Sequence, residues 1–167
     1  MVAATHYAPA MHAVSASRRA SGFTIVEVLI VVAMAGTLAA IAIPKYADYR
    51  ERIKVAQAVA DMRALSLVIN NYQLDARNYP ANLASIGNAG KLDPWGRPYV
   101  YLNLQDPKTK GQARKNKNLV PINSDYDLYS VGKDGASSGP LTAKTSRDDV
   151  IRANDGGFFG LAREYEP

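Results

Sequence analysis

The hydrophobic pattern divides the first half of the chain into two stretches of different character. From Phe23 to Ile43 the residues are apolar almost throughout, and Glu27 is the one charged side chain. After this stretch the apolar positions recur every three or four residues, which is the period of one helical face. We therefore predict one helix from about Phe23 to about Leu74, apolar all round in its first half and amphipathic in its second.

The second half of this helix has one apolar stripe and one polar face. The positions of the stripe are four, three, four and three residues apart, and they are Ala58, Met62, Leu65, Ile69 and Tyr72. The polar face follows the same spacing and consists of Arg50, Lys54, Gln57 and Asp61. The stripe can pack on a small soluble domain, whereas the first half has nothing within its own chain to pack on. We expect the first half to lie in lipid or among copies of the chain.

The apolar stretch is long enough to cross a membrane. As a helix with a rise of ~1.5 Å per residue, its roughly 21 residues span the ~30 Å hydrocarbon core. Arg18 and Arg19 precede it and should stay on the cytoplasmic side, which places the body of the protein across the membrane. The stretch is too long for an ordinary secretory signal, and an amphipathic helix follows it where such a signal has its cleavage site.

Glu27 is out of place in an ordinary membrane anchor. An ionised side chain at the centre of a bilayer costs ~2.5–3.5 kcal/mol or more, and it marks a functional site by default. No Lys or Arg lies within the stretch to pair with it. A free α-amino group would serve if the chain were cut just before Phe23. That group could belong to the same chain or to a neighbouring copy.

The residues around Glu27 resemble a known processing motif. The sequence GFTIVE at positions 22–27, with its basic leader and the apolar stretch, is similar to the prepilin-peptidase motif of type IV pilins and type II secretion pseudopilins. The resemblance implies cleavage after Gly22, methylation of the new terminus at Phe23, and an assembly role for Glu27. The leader of 22 residues is long for this family, and Met11 is an alternative start to Met1.

Pro44 falls inside the predicted helix. A proline there removes one backbone hydrogen bond and kinks or locally unwinds the chain. It either ends the membrane helix or forms a bend or melted stretch that lets helices pack in a filament. We favour the second interpretation because the helical period resumes after Pro44. The resemblance agrees, since many members of the family have a proline at the corresponding position.

The second half of the chain predicts a small antiparallel sheet. Tyr79-Pro80 ends the helix, because a proline disfavours helix in the residue before it. The segments Tyr99–Leu104 and Tyr126–Val131 have strong strand propensity and predict a hairpin that covers the helix. The fold class is therefore α+β, in which a long N-terminal helix packs on a small antiparallel β-sheet with a C-terminal loop region.

The strand regions resemble one member of the family in particular. The sequences DPWGRPYVY, from Asp93, and YDLYSVGKDG, from Tyr126, are similar to the major pseudopilin of type II secretion. The resemblance implies the pilin fold with three segments: a leader peptide at 1–22, a transmembrane and filament-core helix at 23–43, and a periplasmic globular domain at 44–167 that includes the amphipathic half of the helix.

The same resemblance implies a structural role and a set of partners. The chain would cross the bacterial inner membrane once before assembly and form a periplasmic or surface filament of identical copies afterwards. Its partners would be a prepilin peptidase and methyltransferase, the inner-membrane assembly platform and minor pseudopilins. Two alternatives stay open: a type IV pilus subunit for motility, adhesion or DNA uptake, and a membrane-anchored binding module that does not polymerise.

Composition narrows these alternatives. The chain has no Cys, which favours a pseudopilus, since many type IV pilins have a C-terminal disulfide loop. Its two histidines, His6 and His12, both lie in the leader. The mature chain would therefore lack the commonest general base and any thiolate nucleophile. We do not expect an enzyme.

Basic residues are concentrated in the loop 105–123. They are Lys108, Lys110, Arg114, Lys115 and Lys117. We expect a solvated, mobile loop, and contact with DNA or phospholipid head groups is the alternative. The loop lacks the interleaved aromatic residues that hold single strands. The formal net charge of +5 includes two leader arginines, so the mature chain is only mildly basic and no nucleic-acid partner is expected.

Acidic residues after the second predicted strand form a candidate Ca²⁺ site. Calcium takes six to eight oxygen ligands, often from a loop. The resemblance implies Asp134, in the Gly-Lys-Asp-Gly turn, as the first ligand, and Asp148 and Asp149 match a later pair loosely. The spacer between them is longer than in the family and carries two basic residues. Aspartates that only form turns are the alternative.

Overall fold

The computed structural model describes residues 22–166 and contains one long helix and a four-stranded sheet. The helix, α1, is Ile25–Ala76, and the strands are β1 (Val100–Asn103), β2 (Tyr126–Ser130), β3 (Val150–Ala153) and β4 (Phe158–Leu161). Every neighbouring pair is antiparallel, and the strand order is β1-β2-β3-β4. The predicted α+β class is confirmed. The leader residues 1–21 lie outside the described residues.

Helix α1 is continuous over 52 residues and passes through Pro44. The predicted single helix is therefore confirmed, with each end within two residues of the expected position. The interpretation in which Pro44 ends the membrane helix is wrong. A proline removes only its own N–H donor and crowds the preceding turn, so the hydrogen bonds on either side can carry the helix past it. Between Ile25 and Ala76 the structure shows helix throughout, with no melted stretch.

The chain divides into two compact units at the junction between Ile43 and Pro44. In the first unit every described side chain, from Gly22 to Ile43, is exposed. By length and composition, α1 is the one helix in residues 22–166 that could cross a membrane. An exposed apolar surface of this extent is unfavourable in water, so it must be covered by lipid or by other protein chains.

In the second unit, one stripe of α1 forms the main core with the sheet. The first four positions of the predicted stripe, Ala58, Met62, Leu65 and Ile69, are at most 1% exposed, as the spacing predicts. Tyr72, the last position of the predicted stripe, is only half-buried. From the sheet side the stripe meets Tyr99, Tyr126, Leu128, Val150 and Leu161.

The predicted hairpin is confirmed, but half of the sheet is not predicted from sequence. β1 and β2 pair with Val100 opposite Tyr129 and Asn103 opposite Tyr126. β3 and β4 have four residues each. All four residues of β3 are buried, because a second cluster around Ile151 covers the other face of the sheet. A strand buried on both faces does not show the alternation of apolar and polar residues that identifies a half-buried strand.

Candidate functional site

The first turn of α1 contains the residues predicted for processing and assembly. The Oγ1 atom of Thr24 accepts a hydrogen bond of 3.1 Å from the backbone N–H of Glu27. The Thr24 carbonyl accepts from the N–H of Val28 at 3.2 Å. Thr24 is therefore the N-cap of the helix and Glu27 is its third residue, which is the spacing of a capping box. We did not predict this cap from the sequence, although the Thr-x-x-Glu signal of a capping box is present at positions 24–27.

The Gly22–Phe23 peptide bond precedes this cap. Both residues are non-helical and exposed, and the Phe23 side chain is 83% exposed. The bond therefore lies outside the helix, and a peptidase would not have to unwind the helix to reach it. Thr24 follows this bond in the chain, so a cut between Gly22 and Phe23 would leave the cap intact.

The carboxylate of Glu27 is electrostatically suited to its position but lacks a partner. The N-terminus of a helix carries about half a positive charge, which favours an acidic side chain in the first turn. Among residues 22–166 the Glu27 carboxylate has no hydrogen-bond or ion-pair partner. The Thr37 hydroxyl, by contrast, donates to the Met34 carbonyl at 2.8 Å, within its own helix. Glu27 is thus the polar side chain of the apolar stretch that the described residues leave unpaired.

Pro44 weakens the helix at the junction between the two units. Because proline has no N–H, the carbonyl of Ala40, four residues earlier, lacks its usual helical partner. Pro44 is exposed and the helix is continuous around it. Pro44 therefore leaves one helical hydrogen bond missing, at the point where the apolar half of α1 ends.

The Asp-Pro-Trp-Gly motif forms a turn organised by a buried aspartate. The Oδ1 atom of Asp93 accepts from the N–H groups of Trp95, at 3.0 Å, and Arg97, at 2.9 Å. The N–H of Gly96 donates to the Asp93 carbonyl at 2.9 Å, and Gly96 has a φ of 86°, which favours glycine. Asp93 Oδ2 also accepts from the hydroxyl of Ser130 at the end of β2.

This turn connects the helix to the loop after β2. The indole Nε1 of Trp95 donates to Glu51 Oε1 on α1 at 2.9 Å. The Arg97 Nη1 atom donates to the carbonyl of Gly132 at 2.7 Å. The sequence indicated a turn here but not these contacts, because the partners are 44 and 35 residues away along the chain.

Two of the three candidate calcium ligands lie next to each other. The backbone N–H of Asp134 donates to the Oδ2 atom of Asp148 at 2.9 Å. The Asp134 carboxylate accepts from the N–H of Ala136 at 2.8 Å, so it caps its own turn. Asp134 is exposed and Asp148 is half-buried.

The third candidate, Asp149, is buried and already paired with a cation. Its Oδ2 atom lies 2.6 Å from Arg114 Nη2 and accepts from the Ser137 hydroxyl at 2.6 Å. No group of three or more His, Cys, Asp or Glu side chains in the described part of the chain could hold a metal ion. Asp149 is therefore occupied by a guanidinium and is not free to bind a cation, whereas calcium binding through Asp134 and Asp148 stays a prediction.

The basic loop 105–123 is only partly solvated. Lys108, Lys115 and Lys117 are exposed, as expected. Arg114 and Asn116, however, are 3% and 5% exposed, so the prediction of a solvated loop is wrong for these two residues. Backbone hydrogen bonds hold the loop against the segment 139–141, which explains how a polar stretch becomes buried.

A second buried arginine, which the sequence did not single out, ties β3 to the residue directly before β2. Arg152 Nη1 and Nη2 pair with the two carboxylate oxygens of Asp125 at 2.8 and 2.6 Å. Nearby, Asp155 accepts from the N–H and hydroxyl of Ser124 at 2.7 and 2.8 Å. Burial acts to raise the pKa of Asp155, but the hydrogen bonds from Ser124 and the charge of Arg152 outweigh it, so this pKa lies below its usual value.

The chain matches two protein-family models. The model described as type II secretion system (T2SS), protein G, matches residues 45–147. The model of the prokaryotic N-terminal methylation motif matches residues 17–43, which include Gly22, Phe23 and Glu27. No solved structure was found to match the chain.

Individual relatives come from both secretion systems and pili. A type II secretion system core protein G of Pseudomonas aeruginosa is 32% identical, over 73% of this chain and 89% of its own length. The core protein G of Klebsiella pneumoniae is 29% identical, over 80% of this chain and 94% of its own length. A fimbrial protein of Neisseria meningitidis is 29% identical, over 80% and 79%. With the family model covering most of its second unit, the chain belongs to the type II secretion system protein G family.

Proposed function

We propose that this protein is the structural subunit of a type II secretion pseudopilus, cleaved after Gly22, methylated at Phe23 and polymerised through α1. The observation that carries the proposal is the first half of α1. It presents an apolar surface on all sides, and its first turn holds a carboxylate that has no partner among residues 22–166. Such a helix is incomplete in a single chain, and copies of itself can cover it once it leaves the membrane.

In this function Glu27 pairs with the α-amino group of Phe23 in an adjacent subunit. Cleavage creates that positive charge, and the helix N-terminus beside it is also positive. Burying either charge alone costs far more than burying the two together. The pairing therefore makes assembly depend on two conditions, a processed neighbour and an intact Glu27.

The proposed function also sets the location and the partners. The chain crosses the inner membrane once, with Arg18 and Arg19 on the cytoplasmic side, and its second unit lies in the periplasm. A prepilin peptidase and methyltransferase act at the exposed Gly22–Phe23 bond. The inner-membrane assembly platform and the minor pseudopilins are the further partners. The family membership and the capped, accessible cleavage site support this assignment.

The role is structural. From Phe23 onward the sequence has no His and no Cys. The buried ionic groups of the second unit, such as Arg152 with Asp125, are tied to each other and hold segments of the fold together. We infer that the chain contributes surfaces and length to a filament.

A deletion strain tests the function and separates it from the runner-up. The expected result is loss of secretion of folded periplasmic proteins, with motility and DNA uptake unchanged. The fimbrial relative supports a type IV pilus subunit as second candidate. Lost motility, adhesion or DNA uptake with normal secretion would establish that candidate and refute the first. Mass spectrometry of the mature protein should show a methylated N-terminal Phe23, and an uncut terminus would indicate a plain membrane anchor.

A further inference from the structure

Arg114 is buried within a loop whose other described basic side chains are exposed. Its guanidinium contacts three groups from different parts of the second unit. Nη2 lies 2.6 Å from Asp149 Oδ2, Nη1 donates to the hydroxyl of Ser137, and the guanidinium carbon lies 4.3 Å from the ring centroid of Tyr129. The charged side chains of the pair are 4% and 0% exposed, which makes this the most buried ion pair among the described residues.

The backbone of Arg114 is held as firmly as its side chain. Its N–H donates to the Oδ2 atom of Asp127 at 2.7 Å, and its carbonyl accepts from the N–H of Ile122 at 3.0 Å. Asp127 is itself buried and accepts from the Asn123 amide at 2.9 Å. The backbone of Arg114 is therefore held by its own hydrogen bonds, and the guanidinium is held separately by Asp149, Ser137 and Tyr129.

Asp149 depends on Arg114 for its charge compensation. A buried carboxylate is strongly unfavourable unless it is paired and hydrogen-bonded. Both of its side-chain contacts, from Arg114 and Ser137, reach Oδ2, whereas Oδ1 is buried and has no hydrogen-bond partner among the described residues. Arg114 is thus the one cation that the described residues place on this carboxylate.

We propose that the guanidinium of Arg114 is a built-in cation that takes over the structural role of a bound calcium ion at this corner. It bridges the loop 105–123, the segment that carries Ser137, and Asp149, which directly precedes β3. A planar guanidinium suits this task because it offers several donors in fixed directions and stacks on an aromatic ring. The fold of the second unit is then independent of calcium.

The first test is a calcium titration of the full-length protein in detergent. The Tm is compared in EDTA, in excess calcium and in excess magnesium. We expect the same Tm in all three, because a ligand that binds only the native state would raise it. A Tm that rises with calcium but not with magnesium would overturn the proposal. Asp134→Asn then tells whether that rise comes from the exposed carboxylates.

The second test is a double-mutant cycle on the ion pair. Arg114→Met and Asp149→Asn should each lower the Tm, and the double variant should lose less than the sum, because Asp149→Asn removes the charge that Arg114→Met leaves unpaired. Additive losses would show that the two side chains act independently and would refute the proposal. Lys115→Met is the matched control, since it removes an exposed charge from the same loop and should leave the Tm unchanged.

The cycle stays decisive if Arg114→Met does not fold. Arg114→Lys keeps the positive charge but loses the planar fork of donors, and it can replace Arg114→Met in the cycle. The expected result is again a loss in Tm that shrinks when Asp149→Asn is added. Equal losses from Arg114→Lys with and without Asp149→Asn would contradict the pairing.

Discussion

Trp95 and Glu51 are joined by a hydrogen bond of 2.9 Å from the indole Nε1 atom to the Oε1 atom, across 44 residues of sequence. The bond attaches the Asp-Pro-Trp-Gly turn to the amphipathic half of α1. Both side chains are partly buried, so the charged acceptor is only partly screened by water. This contact gives the tryptophan of the motif a structural reason for its presence.

Trp95→Phe should destabilise the protein by about 1 kcal/mol, because it keeps most of the ring and removes the donor. Denaturant unfolding of the full-length protein in detergent measures the change. Glu51→Gln retains an acceptor oxygen and should lose less. Stability equal to wild type in Trp95→Phe would show that the hydrogen bond does not contribute.

Glu27→Ala and Glu27→Gln should both leave cleavage and membrane insertion intact and abolish filaments. The cleavage bond lies outside the helix, and neither change adds a charge to the apolar stretch. Glu27→Gln is the sharper variant, because it keeps a polar side chain at the third helical position and removes only the charge. Immunoblots of processing and electron microscopy of fibres measure the two steps. Normal fibres from Glu27→Ala would refute the pairing with the neighbouring amine.

Thr24→Ala should fray the start of α1 by removing the acceptor for the Glu27 N–H, at a cost of about 1 kcal/mol. Amide hydrogen exchange in detergent should show faster exchange at Glu27 and Val28 than in wild type. Thr24→Ser keeps the hydroxyl and is the matched control, with wild-type exchange expected. Unchanged exchange in Thr24→Ala would mean that Thr24 does not cap the helix.

Pro44→Ala should make the junction of α1 more rigid and reduce filament yield. Alanine supplies the N–H that the Ala40 carbonyl lacks, and it is the better helix former. Slower amide exchange around residues 40–48 would report the first effect, and fibre yield the second. If assembly needs the helix to bend or melt there, yield falls as exchange slows. Wild-type yield together with slower exchange would show that assembly does not use this weak point.

Because of Asp155, the second unit should be more stable at neutral pH than at acidic pH. Its pKa is lower in the folded protein than the unfolded value of about 3.9, so the folded state favours the ionised form. The stabilisation is fully present above the unfolded pKa and is lost as the pH falls through the folded pKa. Asp155→Asn tolerates the φ of 51° at this position and should flatten the fall in stability below about pH 4. An unchanged pH profile would contradict this role.

Local patterns in the chain are sufficient to predict the processing motif, the helix and the first hairpin. Gly22, Phe23 and Glu27 form a contiguous motif, and the helical period and the strand propensities act over neighbouring residues. The structure places the ends of α1 and the β1–β2 pairing as these patterns predict. Cleavage, methylation and calcium binding remain predictions.

The remaining features depend on contacts between segments distant in sequence. β3 is buried on both faces and so lacks the alternation of a half-buried strand, and both β3 and β4 are stabilised by pairing with their neighbours in the sheet. In the sequence, Arg114 is one of several basic residues in its loop. Only the fold brings it to Asp149, which lies 35 residues further along the chain. Which charges are buried and paired is a property of three-dimensional proximity, because desolvation and Coulomb energy depend on distance in space and not on distance along the chain.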